Sequence, residues 1–265
     1  MYSKYQLAKK YMHYFVSASS GAGHGIHSPF AFEFIKNVLN DNRHFYAYQK
    51  IERQRQILLK NESLIEIEDF GAGSAILKKK QRSVAEIVKS ASKSEKFGKL
   101  LFRIANYYQP RTMIELGTSV GLSAAYLASA APNGKLITIE GSPAIAKIAK
   151  NDFTLLGLSN VQLNIGNFDD LLPDILNRNT TIDLAFIDGN HRMDPTLNYF
   201  NIISQHIADF SILIFDDIHW SKKMEEAWSE IKNTDRMVLT IDLFYMGIVF
   251  FKNNFKTKQH FTIRF

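Results

Sequence analysis

From Ser94 onward the apolar positions of the chain switch repeatedly between two periods. The stretch "SEKFGKLLFRIANYYQP" places Phe97, Leu100, Leu101, Ile104 and Tyr108 on one helical face and ends at Pro110. Short apolar runs then alternate with helical segments. The pattern predicts strands over 112–116, 136–140, 161–165, 182–187 and 211–215. It predicts helices over 122–130, 143–156, 170–176, 195–207 and 222–231. "MVLTIDLFYMGIVFFK" reads as two strands with a tight connection near Gly247. Five strand–helix units closed by a hairpin imply an α/β fold: a doubly wound, mostly parallel sheet of seven strands with an antiparallel final strand.

The first part of the chain lacks this alternation. Helices are expected over 2–16, 29–39 and 45–60, with "SSGAGHGIHSPF" breaking the first from the second. Ser28 and Pro29 form an N-cap and N1 pair for the second. "LIEIEDFGAGS" is a short strand-like alternation ending in a turn, and "KKKQRSVAEIVKSASKS" reads as an exposed basic turn and a short helix or linker. Residues 1–92 are therefore expected to be a helical, basic N-terminal extension, and 93–265 the main domain.

Charge sharpens that division. Residues 1–110 hold 18 Lys and Arg against 9 Asp and Glu, whereas residues 111–265 hold 14 against 17. A basic appendage suits an acidic partner or a solvated surface, but no RNA-binding signature with aromatics interleaved on strands accompanies it. The chain has no cysteine, which excludes disulfides, thiolate metal sites and a cysteine nucleophile. No apolar run reaches the roughly 18 residues that span a bilayer. Lys4, Lys9 and Lys10 before "YMHYFVSASS" are only superficially like an export leader, because the apolar part is short and holds His13. A cytoplasmic protein without a membrane partner is expected.

Two glycine turns compete for a ligand. "MIELGTSVGLSAAYLA" follows an apolar strand and opens an uninterrupted helix, where unpaired backbone N–H groups and a close approach favour binding. Glu140 ends the next strand, 25 residues after Glu115, where a carboxylate can accept both hydroxyls of a ribose. The rival turn over 69–74 is followed by three lysines and no convincing second strand, so it reads as a structural loop. The spacing Gly117-x-x-x-Gly121 lacks the third glycine of dinucleotide folds, and Thr118 and Ser119 fill positions a pyrophosphate would crowd.

With these spacings the chain resembles the class I S-adenosylmethionine-dependent methyltransferases over about 94–265, and that resemblance implies their Rossmann-like fold. It implies that Glu115 and the turn residues Gly117, Thr118, Ser119 and Gly121 hold the methionine end of S-adenosylmethionine. Glu140, with Gly141 beside it, would hold the ribose. Asn167 and Phe168, in "GNFDD" after the third strand, would flank the adenine, with Phe168 as a core aromatic the plainer reading.

"IDLAFIDGNHRMD" and "ILIFDDIHW" place Asp188, Asp216 and Asp217 at the carboxyl ends of adjacent strands. Carboxylates gathered there repel one another, and a hard divalent cation such as Mg²⁺, Mn²⁺ or Ca²⁺ relieves the repulsion. The three positions are similar to those of the metal-dependent O-methyltransferases, of the catechol, caffeoyl-CoA and macrolide-sugar types. That resemblance makes Asp188, Asp216 and Asp217 metal ligands, with Asp188 also beside the cofactor. The catechol and caffeoyl-CoA types carry a lysine three residues after the first acid. Here His191 stands in that place, as in the sugar-modifying relatives, which puts a catechol acceptor in doubt. Imidazole, with an ordinary pKa of about 6.5, suits a general base. The plainer readings are an Asx-type turn for "DGNH" and a helix cap for Asp217. His219 is a second candidate base or ligand, and His24 and His27 lie in the glycine-rich loop.

The expectation is methyl transfer to a hydroxyl of a small molecule, by a chain whose amphipathic extension makes a homodimer plausible. The alternatives are a nucleic-acid methyltransferase and an inactive binding protein of the same fold. The first is opposed by the lack of a [DN]-P-P-[YFW] segment, the second by intact Glu115, Gly117, Gly121 and Glu140.

Overall fold

The computed structural model describes residues 1–67, 81–178, 181–236, 238–253 and 255–265, so the 69–74 turn lies outside the described residues. In chain order the helices are α1 (Lys4–Ser17), α2 (Pro29–Phe34), α3 (Tyr46–Leu58), α4 (Val84–Ala91) and α5 (Glu95–Tyr108). They continue as α6 (Leu122–Ala130), α7 (Pro143–Leu156), α8 (Phe168–Arg178), α9 (Met193–Ile203) and α10 (Lys222–Lys232). The strands are β1 (Leu64–Glu66), β2 (Gln81–Ser83), β3 (Thr112–Leu116), β4 (Lys135–Glu140) and β5 (Val161–Ile165). The later ones are β6 (Ile182–Ile187), β7 (Ile207–Asp216), β8 (Val238–Asp242), β9 (Met246–Lys252) and β10 (Gln259–Thr262). The chain packs as two compact units, residues 42–178 and residues 1–41 with 179–265.

In the unit of residues 42–178, β3, β4 and β5 run parallel in that order. Helix α6 is buried at every residue but Ser129, as its apolar composition requires. Gly98 lets α5 lie against it: a Cβ there would stand 2.3 Å from the Tyr126 ring. Tyr126 donates its hydroxyl to Glu52 (2.7 Å), and Gln54 donates to the buried Asp152 of α7 (2.8 Å). Thus α3, expected in the extension, is tied to α6 and α7. Helix α4 begins with a capping box of Ser83 and Glu86 and buries Val84, Ala85, Ile87 and Val88. Residues 81–83 form β2 against β1, a pairing the basic composition of that stretch does not suggest.

In the other unit the strand order is β10-β8-β9-β7-β6. β6 and β7 are parallel, β9 is antiparallel to both β7 and β8, and β10 is parallel to β8. Among the described residues β10 is a strand beyond those expected, and it is parallel to β8. The hairpin connection lies near Gly247, as expected, closed by bonds from Leu243 N–H to the Met246 carbonyl and from Tyr245 N–H to the Leu243 carbonyl (2.9 and 3.0 Å). Gly247 itself sits within β9, where a Cβ would stand 2.8 Å from the Trp228 ring. The stretch "HSPFAF" starts α2 on a Ser28 cap and seats Phe30 and Phe34 edge-on against Phe250 (5.0 and 5.1 Å). The chain then continues as a π-helical turn, Ile35–Leu39. Among the described residues no helix is long and apolar enough to cross a membrane.

Candidate active site

Glu115 lies in the last turn of β3, fully buried, and is paired in register with Thr138 of β4. Thr138 donates to its Oε2 (2.6 Å) and lies 2.5 Å from the Thr118 hydroxyl. Burial pushes the Glu115 carboxyl up to about 7, against the Thr138 and Ser123 hydroxyls that favour the charged form and with help from the nearby charge of Glu140. Sequence reading passed over Thr138, although a polar residue inside "LITIE" at the level of Glu115 is the signal that could have found it.

The chain then turns on Gly117 (φ 102°), Ser119 (φ 48°) and Gly121 (φ 88°). Gly117 and Thr118 donate to the Ile139 carbonyl (3.0 and 3.1 Å), which holds the loop against β4. Ser119 N–H donates to Glu140 Oε2 (2.8 Å) and Ser142 N–H to Oε1 (3.0 Å), so the Glu140 carboxylate is fixed over the same loop. Gly141 is the half-buried bend between Glu140 and Ser142. Gly166 N–H donates to the Glu140 carbonyl (2.9 Å), bringing the end of β5 to this tip. Asn167 accepts from Asp169 N–H (3.2 Å) at the start of α8, and Phe168 is half-buried in its first turn.

Three buried polar atoms of this cradle have no hydrogen-bond partner: Glu115 Oε1, Ser119 Oγ and Ser142 Oγ. Helix α6 also starts on Gly121 without a side-chain cap. Unmet acceptors, hydroxyls and helix N–H groups are what a polar ligand satisfies, and the set fits a molecule bearing an ammonium group and a ribose. A separate groove of about 410 Å³ between α7 and β5, lined by Lys147, Lys150, Leu163 and Ile165 among others, includes none of the cradle residues.

Because the folded-state pKa of Glu115 exceeds the ordinary 4.5, folding takes up a proton between the two values. Its contribution to stability is greatest below pH 4.5, falls as pH rises and is flat above about 7. Glu115→Gln should therefore flatten the decline in melting temperature between about pH 5 and 7. An unchanged slope in the variant would show that the carboxyl is not held neutral.

In the other unit the acids come together with a histidine. Asp188, His191 and Asp216 each offer a ligand atom, and these atoms lie within 4.8 Å of one another. Asp216 closes β7 at 3% exposure, and Asp188 follows β6. His191 Nε2 stands 3.8 Å from Asp188 Oδ1. The turn that brings it back is made by Asn190, which is left-handed (φ 56°), donates to Tyr199 (3.3 Å) and accepts from Arg192 Nε (2.7 Å). Two carboxylates and an imidazole at this spacing suit a hard or borderline divalent cation. Asp217 is outside the group; it is half-buried, left-handed (φ 53°), and donates its N–H to the Tyr245 carbonyl (2.7 Å). The helix cap read for it belongs to Ser221. His219 is not in the group either: its ring bridges Glu225 and Asp242 (2.9 Å each). Burial acts to lower its pKa, but the bonds and charges of Asp242 and Glu225 outweigh it and raise it. His24 and His27 join no such cluster among the described residues.

The strand-and-helix order and the glycine cradle between β3 and α6 define an α/β methyltransferase fold. Solved structures agree on the fold. An O-methyltransferase from Streptomyces achromogenes, in complex with S-adenosylmethionine, superposes with a TM-score of 0.55 at 19% identity, covering 78% of this chain and 89% of that one. A methyltransferase from Podospora anserina with bound S-adenosylhomocysteine gives 0.59 at 13% identity, covering 96% and 98%.

Residues 114–218 match the family model of a methyltransferase domain. Over this stretch the chain is similar to methyltransferase domains and to catechol O-methyltransferases. The Niastella koreensis catechol O-methyltransferase is 32% identical over 124 residues, 46% of this chain and 55% of that protein. The Mycobacterium tuberculosis catechol O-methyltransferase is 34% identical over 95 residues, 35% and 42% respectively. The chain thus spans about half the length of the curated relatives it matches.

Proposed function

We propose that the protein transfers a methyl group from S-adenosylmethionine to a hydroxyl oxygen of a small molecule, with a divalent cation held by Asp188 and Asp216. The observation that carries the reading is the cradle: a buried carboxylate with an unmet oxygen, and Glu140 fixed over the Gly117–Gly121 turn by two backbone N–H groups.

Each residue then has a task. Glu115 Oε1 accepts from the ammonium of the methionine end, and the positive charge favours the ionised carboxyl. Glu140 would accept from the ribose hydroxyls. Asn167 and Phe168 flank the base. A hard divalent cation supplies Lewis acidity, lowering the pKa of an acceptor hydroxyl and neutralising the acids that hold it. His191 would take the hydroxyl proton at Nε2, and the bound cofactor would supply the methyl group. The main work left to the protein is orientation and exclusion of water.

Calorimetric titration with S-adenosylhomocysteine tests the core of the proposal. Binding by the wild-type chain and its loss in Glu140→Ala are expected; no binding by the wild type would overturn it. His191 has a test of its own. As a base, its replacement by Ala should lower kcat by about 10²–10⁴-fold with Mn²⁺ affinity kept. Loss of Mn²⁺ binding together with activity would make it a ligand instead.

A further inference from the structure

We infer that helix α1 is a positioning element of the acidic corner: Tyr2 and Lys10, acting through Glu225, His219 and Trp220, fix the turn that follows Asp216. The inference rests on the cation reading of that cluster given above.

Asp217 adopts a left-handed backbone without being glycine, a conformation that persists where surroundings over-determine it. Here they do, residue by residue. Asp217 donates to the Tyr245 carbonyl and accepts from Trp220 N–H (2.7 and 2.9 Å). Ile218 is buried at 1% exposure. The His219 ring is held between Glu225 and Asp242 and stacks on Phe244 at 5.1 Å. The Trp220 carbonyl accepts from Tyr2 N–H (3.0 Å).

Two of these supports lead back to α1. Glu225 accepts from the Tyr2 hydroxyl (2.7 Å) and from Lys10 Nζ (3.0 and 3.1 Å), across more than 200 residues of chain. Both ring nitrogens of His219 face carboxylates, Glu225 on α10 and Asp242 at the end of β8, so the ring is held from both sides. Lys10 sets a positive charge 3.0 Å from Glu225. Asp242 is itself anchored, accepting from Trp228 Nε1 (3.1 Å) and Phe244 N–H (2.9 Å).

The far end of α1 is fixed independently. Tyr14 donates to the Ile263 carbonyl and accepts from Phe265 N–H, and Ser19 bridges to Ile263. The helix is thus a strut, set at one end by the final strand and bearing at the other on the turn after Asp216. Among the described residues none of Tyr2, Lys10, Glu225 and His219 belongs to the Asp188, His191 and Asp216 group, so their role is positioning. Partners that orient metal ligands from outside commonly contribute 10- to 100-fold to metal affinity.

Mn²⁺ titration of the full chain, read by electron paramagnetic resonance, tests the strut. Lys10→Met and Glu225→Gln should each weaken Mn²⁺ binding by about 10-fold, with S-adenosylhomocysteine affinity unchanged. Lys10→Arg should bind nearly as the wild type does. The Lys10 side chain is 37% exposed, so its replacement leaves the core intact, and a melting curve checks this. Wild-type Mn²⁺ affinity in both Lys10→Met and Glu225→Gln would overturn the inference while leaving the cation reading standing. A wild-type chain that binds S-adenosylhomocysteine but no Mn²⁺ would overturn both.

Discussion

Asp216→Asn should lower kcat/KM for methyl transfer by about 10³-fold or more, while S-adenosylhomocysteine binds as before. The magnitude follows from what is removed. Lewis-acid stabilisation at a hydroxyl is worth several kcal/mol, and each ~1.4 kcal/mol is tenfold in rate. Asp216 is the most buried member of the cluster, at 3% exposure, so its charge is poorly screened and its loss poorly compensated by water. Asparagine keeps the shape, and the residue pairs with Met246 through backbone, so the register of β7 on β9 should survive. The defect should then be one of cation affinity, and raising Mn²⁺ should recover part of the activity. Full activity in the variant, or indifference of the wild type to a chelator, would remove the cation from the mechanism.

Much of this was legible in the sequence because two periods dominate it. Strands β3, β5 and β6 begin and end where expected: β3 and β6 are buried on both faces and read as apolar runs, whereas β5, half-exposed, reads as an alternation. Helices α6 and α7 likewise match, one opened by Gly121 and the other by Pro143 and closed by left-handed Gly157. The cradle was legible for the same reason: a glycine spacing between a predicted strand and helix fixes which backbone groups are unpaired.

What was not legible depends on partners far along the chain. β7 begins at Ile207, four residues before its apolar run, because Ile207 pairs with Ile182 of β6 and the Ser211 hydroxyl, which accepts from Ala208 N–H and donates to the Ile182 carbonyl, holds the start. Gly247 lies beside a turn, yet it is spared a side chain by Trp228, nineteen residues earlier. The grouping of His191 with Asp188 and Asp216 needs the left-handed Asn190, and nothing in "DGNH" says which residue takes that conformation. Lys10 and Glu225 are 215 residues apart, beyond any local pattern.

Gly121→Ala should destabilise the protein by about 2–5 kcal/mol, two independent costs falling on one methyl group. The first is conformational. Gly121 holds φ 88°, and an L-residue in the left-handed region gives up about 1–2 kcal/mol. The second is steric. The new Cβ would stand 2.7 Å from the Phe153 ring and 3.2 Å from the Ala149 Cβ, both on α7, and overpacking of this kind costs about 1–3 kcal/mol. Phe153 is 5% exposed, so its ring cannot simply swing into solvent. Urea unfolding separates the two terms. Gly121→Ala combined with Phe153→Leu should recover the steric part, apart from the cavity that Phe153→Leu opens alone, and should leave the conformational part. Since Gly121 also donates to the Thr118 carbonyl (2.9 Å), the double variant should still bind S-adenosylhomocysteine more weakly than Phe153→Leu does. A Gly121→Ala chain as stable as the wild type would mean that the turn is not held in the left-handed form, and the cradle built on it would fall with it.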